Sequence, residues 1–164
     1  MKQLGPSIDC LIFARPNGGR LQIGAEPLAT LVAYIQDELT MPEAGGVLLG
    51  RHIRDSDDIV VDGVTTPMAG DRRSRHRFRR GKKRHQAAID EAWRASNGTC
   101  TYLGEWHSHP EPFPIPSFID RLDWGRKLLF DRHADPIFFV IVGTSEIRVW
   151  EGRQNGIPTP LSHL

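Results

Sequence analysis

His107 and His109 stand one residue apart in the stretch Tyr102-Leu103-Gly104-Glu105-Trp106-His107-Ser108-His109, which is mostly apolar or aromatic and suits an extended strand. Side chains on a strand alternate faces, so residues i and i+2 point the same way. The two imidazoles therefore aim at one point. Pro110 ends the strand by withholding a ladder donor. Pro112, Pro114 and Pro116 stiffen a short turn, and Ser117 with Asp120 three residues on reads as an N-cap and the first turn of a helix. A carboxylate at the head of that helix supplies a third donor. Two imidazoles, one carboxylate and an open fourth position describe a catalytic zinc site rather than a structural one. Zinc there would lower the pKa of a water toward ~7 and polarise a carbonyl.

The pattern His-x-His-Pro, six residues, Ser-x-x-Asp resembles the JAMM motif of the JAB/MPN metallopeptidases. That resemblance calls for an upstream glutamate, and Glu43, in Pro42-Glu43-Ala44-Gly45-Gly46-Val47, is the candidate. It implies His107, His109 and Asp120 as zinc ligands and Glu43 as general base and then acid. Ser117 is implied as a hydrogen-bond donor to the developing oxyanion; the plainer reading, that it only caps the helix, is compatible with this. Gly104-Glu105-Trp106-His107-Ser108-His109-Pro110-Glu111, the alternating prolines and Trp124 are similar to small bacterial JAB proteins encoded beside CBASS antiphage systems. The resemblance runs from about Glu26 to Trp150.

The elements that must position these groups follow from periodicity. Ile8 to Ala14 and Arg20 to Gly24 read as strands around the turn Pro16-Asn17-Gly18-Gly19. Leu28, Leu31, Val32, Ile35 and Leu39 recur at helical spacing, predicting an amphipathic helix from Pro27 that Met41-Pro42 ends. Gly46 to Ile53 and Ile59 to Thr65 read as strands. A second helix is expected from Lys82 to Arg94, with Ala87, Ala88, Ile89 and Trp93 inward. After the histidine strand come a Ser117 helix to about Asp131 and strands Pro136 to Val142 and Glu146 to Trp150. Interspersed strands and helices suggest an α/β sandwich with a mixed sheet, in one domain over residues 1–164. The resemblance implies the same, since JAB/MPN domains share a deaminase-like layered architecture.

Other histidines lack comparable neighbours: His52, His76, His85, His133 and His163 read as surface or satisfied side chains. Trp106, facing away from His107, reads as core, Asp123 as an exposed acid and Cys100 as a small buried residue. Two cysteines make no disulfide framework, no apolar run approaches the ~20 residues of a membrane span, and the N-terminus lacks a signal-peptide core. A cytoplasmic location is the economical reading. Arg72, Arg73, Arg75, Arg77, Arg79, Arg80, Lys82, Lys83 and Arg84 put nine of 21 basic residues into one run without an acid. Such a run steers an acidic partner or nucleic acid, or is a solvated loop.

The favoured function is a zinc isopeptidase that cuts the amide between a protein's flexible C-terminal tail and its conjugated target. The CBASS resemblance implies a nucleotidyltransferase conjugate as substrate; a ubiquitin-like modifier is the wider class. Processing of a ubiquitin-like sulfur-carrier precursor, a non-catalytic MPN scaffold and a nucleic-acid role for Arg72 to Arg84 stay open beside it. Only the link from Asp131 to Asp135 follows the Ser117 helix, so the segment from Pro67 to Gly81 is the better candidate for substrate contact.

Overall fold

A nine-stranded mixed sheet organises the chain in the computed structural model, which describes residues 9–131 and 134–164. Strands β1 (Leu11–Ala14) and β2 (Arg20–Ile23) form a hairpin, and helix α1 (Ala25–Val32) follows. Next come β3 (Gly45–His52), β4 (Ile59–Val64), the short pair β5 (Arg72–Ser74) and β6 (Arg77–Arg79), and helix α2 (Lys82–Ala95). The second half runs β7 (Thr101–Ser108), α3 (Phe118–Phe130), β8 (Ile137–Val142), β9 (Ile147–Gly152), β10 (Thr159–Pro160) and β11 (Ser162–His163). Sheet order is β10-β9-β8-β7-β3-β4-β2-β1-β11, parallel only at β2–β4 and β7–β8. The expected mixed α/β sheet is present. The first expected strand begins later, at Leu11, and Ile8 lies outside the described residues.

Strand β8 sits deep in the sheet and is buried on both faces, which is why it reads as an unbroken apolar run. Phe138, Val140 and Val142 pack into one cluster with Trp106 and α1's Leu28 and Leu31. Ile137, Phe139 and Ile141 face the other way, under α3's Trp124 and Leu128. Trp124 stacks on Phe139 at 4.5 Å between ring centroids. The C-terminal segment bridges both sheet edges, since β10 pairs with β9 and β11 with β1. Arg15, just past β1, forms a buried two-pronged ion pair with Glu151 of β9 at 2.9 and 3.0 Å. The sheet thus curls until its edges meet.

Three expectations need correction. Helix α1 ends at Val32 rather than near Leu39, because Tyr34 and Ile35 make tighter i→i−3 bonds to Leu31 and Val32. The chain then buries Gln36, whose Nε2 donates to the carbonyls of Met41 and Arg75, and Leu39 is left 83% exposed. Satisfying a buried amide outweighs one more turn of helix. Second, part of the arginine run is ordered as the β5–β6 hairpin, not a bare loop. Third, α2 buries His85 rather than an apolar stripe, and Trp93 is 54% exposed.

Asp71 explains the last two. Its carboxylate accepts from the backbone N–H of Met68 and Gly81 and from His85 Nε2, closing the base of the hairpin onto α2. His85 Nδ1 meets the Thr65 hydroxyl at 2.7 Å, and that hydroxyl accepts from Val47 N–H of β3. Burial alone would raise the Asp71 carboxyl, but the Met68, His85 and Gly81 donors outweigh it and hold the group below the usual carboxylate value. A depressed folded value contributes stability above the unfolded value of ~4 that is lost as pH falls through the folded one. Asp71→Asn should therefore cost about 1–3 kcal/mol near pH 7. In denaturant titrations the gap to the wild type should close as the pH falls below ~4; a pH-independent gap would mean that the charge is not what matters.

Candidate metal centre

Three donors converge where β7, its exit turn and the head of α3 meet. His107 Nε2 lies 2.9 Å from His109 Nε2 and 3.3 Å from Asp120 Oδ1, and His109 Nε2 lies 3.2 Å from Asp120 Oδ2. All three donor atoms fall within 4.8 Å of one another. Nitrogen and oxygen ligands ~2.0–2.1 Å from a tetrahedral ion stand ~3.3 Å apart, so these edges fit a shared metal ion. Strand alternation aims the imidazoles together, as the i, i+2 spacing predicts, and His109 N–H still bonds to Val142 O beyond the end of β7.

Asp120 is held by a capping box. Its Oδ2 accepts from Ser117 N–H at 2.7 Å, while Ser117 Oγ accepts from Asp120 N–H at 3.1 Å. Burial pushes that carboxyl up, but hydrogen bonds from His107 and His109 overcome it and hold Asp120 well below the carboxylate range. For His109 burial opposes charge, yet Asp120 and Glu111 raise it to about 9. Glu111 Oε1 sits 2.9 Å from His109 Nδ1 and also accepts from Ile115 N–H. It orients the ring from behind, as outer carboxylates do for histidine ligands. The JAMM-like pattern gives Glu111 no role; its i+2 spacing from His109 is the one signal in the sequence.

Glu43 arrives from the other side, on the arm into β3. The antiparallel register sets Gly45 opposite His107. Glu43 Oε1 lies 4.0 Å from His109 Nε2, a span that admits a bridging water rather than a direct bond. Burial, the largest cause, and the carboxylates of Asp120 and Glu111 raise Glu43 to about 8, against the pull of His109 and Phe78 N–H. Sequence reasoning missed what steadies this arm. Glu43 N–H donates to Ser74 O, Arg73 Nε donates to Glu43 O, and Phe78 N–H donates to the carboxylate. On the inner side Ser108 Oγ accepts from Ala44 N–H and donates to Gln36 Oε1, both at 2.8 Å. A Cβ on Gly45 would come within 2.3 Å of the Phe78 ring, and one on Gly46 within 2.1 Å of Thr65 O, so only glycine lets the hairpin and β4 approach.

Beside the donors opens a cleft of about 280 Å³ with Phe78, Arg80 and Lys82 on one wall and Asp123, Trp124 and Lys127 on the other. Glu105 on its floor pairs with Lys127 at 2.9 Å. Trp106 is core, as expected, and its Nε1 donates to Thr65 O. Asp123 is half-exposed, paired with Arg126 at 3.8 Å, and Cys100 is only part-buried. His52, His76 and His163 lie at the surface, His85 is buried and satisfied, and His133 falls outside the described residues. No helix among the described residues is long and apolar enough to cross a membrane.

Residues 26–152 match the family described as prokaryotic homologs of the JAB domain. The chain belongs to that family. Curated relatives named CD-NTase/cGAS isopeptidase, from Escherichia coli (strain TW11681) and Vibrio cholerae serotype O1, are 34% and 35% identical over 144 residues, covering 88% of this chain and 88% of each relative. A third, from Pseudomonas aeruginosa, is 36% identical over 83% of this chain and 85% of its own. A solution structure of a Desulfitobacterium hafniense protein covers 87% of this chain and 88% of its own, with a TM-score of 0.58 and 21% identity, a likeness of fold. In this JAB chain Glu111→Ala should weaken divalent-metal affinity by about 10–100-fold. Competition against a chromophoric chelator measures it, and Asp120→Ala should lose more than Glu111→Ala.

Proposed function

We propose that this JAB protein is a zinc-dependent isopeptidase that hydrolyses the amide joining a nucleotidyltransferase's C-terminal tail to a conjugated target. The observation that carries the reading is the convergence of His107, His109 and Asp120 opposite a buried Glu43. Relatives covering most of the chain are named isopeptidases for CD-NTase/cGAS, which supports the same substrate class here. His107, His109 and Asp120 would hold the ion, and Glu111 would fix the His109 ring. Zinc in that position supplies Lewis-acid activation of water and of the scissile carbonyl.

Glu43 is the proton carrier. Burial and nearby carboxylates raise it to about 8, and a carboxyl that titrates near neutrality can both take and return a proton. It accepts a proton from the attacking water and delivers it to the leaving amine. Ser117 Oγ accepts the Asp120 N–H with a lone pair, so its hydroxyl proton remains free to donate to the developing oxyanion. The 280 Å³ cleft is too small to enclose a folded protein but takes an extended tail. Phe113, Ile115 and Phe118, 57–76% exposed on the turn and first helical residue beside Asp120, offer an apolar seat for the substrate's folded body.

Glu43→Gln should lower turnover at least ~10²-fold while zinc content and melting temperature stay at wild-type values. Retained turnover would remove Glu43 from the mechanism. A folded body should matter as much as the bond, since remote contacts position the amide. The discriminating measurement compares kcat/KM for a tail-linked nucleotidyltransferase fusion, a free peptide of the same tail and an unfolded protein. Equal cleavage of all three would indicate a general protease.

A further inference from the structure

The β5–β6 hairpin has two chemically opposite faces. Its register pairs Arg72 with Arg79 and Ser74 with Arg77, while Arg73 pairs with Phe78. Directly paired residues share a face. Arg73 and Phe78 therefore belong to the inner face, where one bonds to Glu43 O and the other lies over Gly45. Arg72, Ser74, Arg77 and Arg79 belong to the outer face. They line a hollow of about 160 Å³, which the long Arg73 side chain also reaches, and Arg79 stands between this hollow and the cleft beside the donors.

That outer face is electrostatically unfinished. Arginine cannot shed its proton in a protein, and like charges directly opposite across a strand pair are unfavourable. Among the described residues no carboxylate pairs with Arg72, Arg77 or Arg79, and these three stand together on two strands of three residues each. A two-stranded ribbon is marginal by itself, so unbalanced repulsion on it is costly. We propose that this hollow binds a phosphate monoester, and that its occupancy stiffens the strand pair that holds Glu43. Planar guanidinium forks match tetrahedral phosphate oxygens two at a time, and a monoester's double negative charge balances the cluster better than a diester's single one. The Ser74 hydroxyl adds a further donor. At about 160 Å³ the hollow suits one phosphate group rather than a run of backbone phosphates, below the ~300–1,000 Å³ of pockets that enclose whole ligands.

The binding does not depend on which amide the metal centre cuts. It is tested on the full chain by calorimetry at constant ionic strength, with inorganic phosphate, adenosine 5′-monophosphate and its 3′,5′-cyclic diester as probes. The monoester should bind at least ~10-fold more tightly than the diester, and Arg72→Gln/Arg77→Gln should weaken it by at least ~10-fold. Hydrogen exchange at the Phe78 amide should slow on saturation. Equal affinity for monoester, diester and an oligoglutamate would overturn the site, because a generic cationic surface makes no such distinction. So would tight binding of an oligonucleotide whose log K against log salt slopes at several times −0.7, the mark of many phosphates engaged at once. Saturation without slower exchange at Phe78 would overturn the link to Glu43.

Discussion

The pairing of Gly45 with His107 across β3 and β7 is the constraint on which the site depends. It brings a carboxylate on one arm to 4.0 Å from an imidazole on another, with neither side chain free to wander. Backbone carries this alignment, so it needs bare backbone on the arm: Gly45 leaves room for the Phe78 ring and Gly46 for Thr65 O. The parallel neighbour β8 completes the support, meeting His107 at Ile141 and Ser108 at Val142. Gly104 is the matching concession on β7. Its φ of +148° and the 1.8 Å that a Cβ would leave to Phe138 O admit no side chain, and beside it β7 carries one extra residue, Leu103, against β3.

Around that alignment the fold spends buried polar groups rather than apolar ones. Ser108, fully buried, ties Ala44 to Gln36, and Gln36 in turn ties Met41 and Arg75. Asp71 and His85 repeat the pattern at the hairpin base. Each group is satisfied by several partners, which is the condition under which burial of polarity specifies one arrangement instead of weakening it. The first holds Ala44, next to Glu43, and the second anchors the base of the hairpin whose Arg73 bonds to Glu43 O. The position of Glu43 thus rests on residues outside the donor cluster.

The donors themselves were legible in sequence because their chemistry leaves short-range marks. Alternation on a strand joins His107 to His109, and the capping box that starts α3 also aims Asp120. Those are local rules, and the His pair and the capping box follow them in the structure. The failures were all long-range. Nothing in the spacing of Ile35 and Leu39 reveals that Gln36 is wanted by Ser108 seventy-two positions away, so the predicted helix ran too far. Nothing in a string of arginines reveals that Arg73 will serve Glu43 thirty positions earlier while Arg72 faces outward. Alternation was available there too, but a run so uniformly charged gives no hydrophobic contrast by which to read it.

The same two-faced hairpin bears on how a site with general amide chemistry becomes selective. Its inner face supplies the wall of the cleft at Phe78 and the hydrogen bonds to Glu43, so a chain seated in the cleft would rest on the element that steadies Glu43. Across the donors the Phe113, Ile115 and Phe118 side chains stand on the turn whose helix carries Asp120. Contacts made on either flank would thus bear on Glu43 or on Asp120 through a single element. Binding energy gained far from the bond can then tighten the geometry at the bond, and a short peptide that reaches neither flank forgoes it. Under the proposed function, selectivity follows from the supports rather than from the three donors.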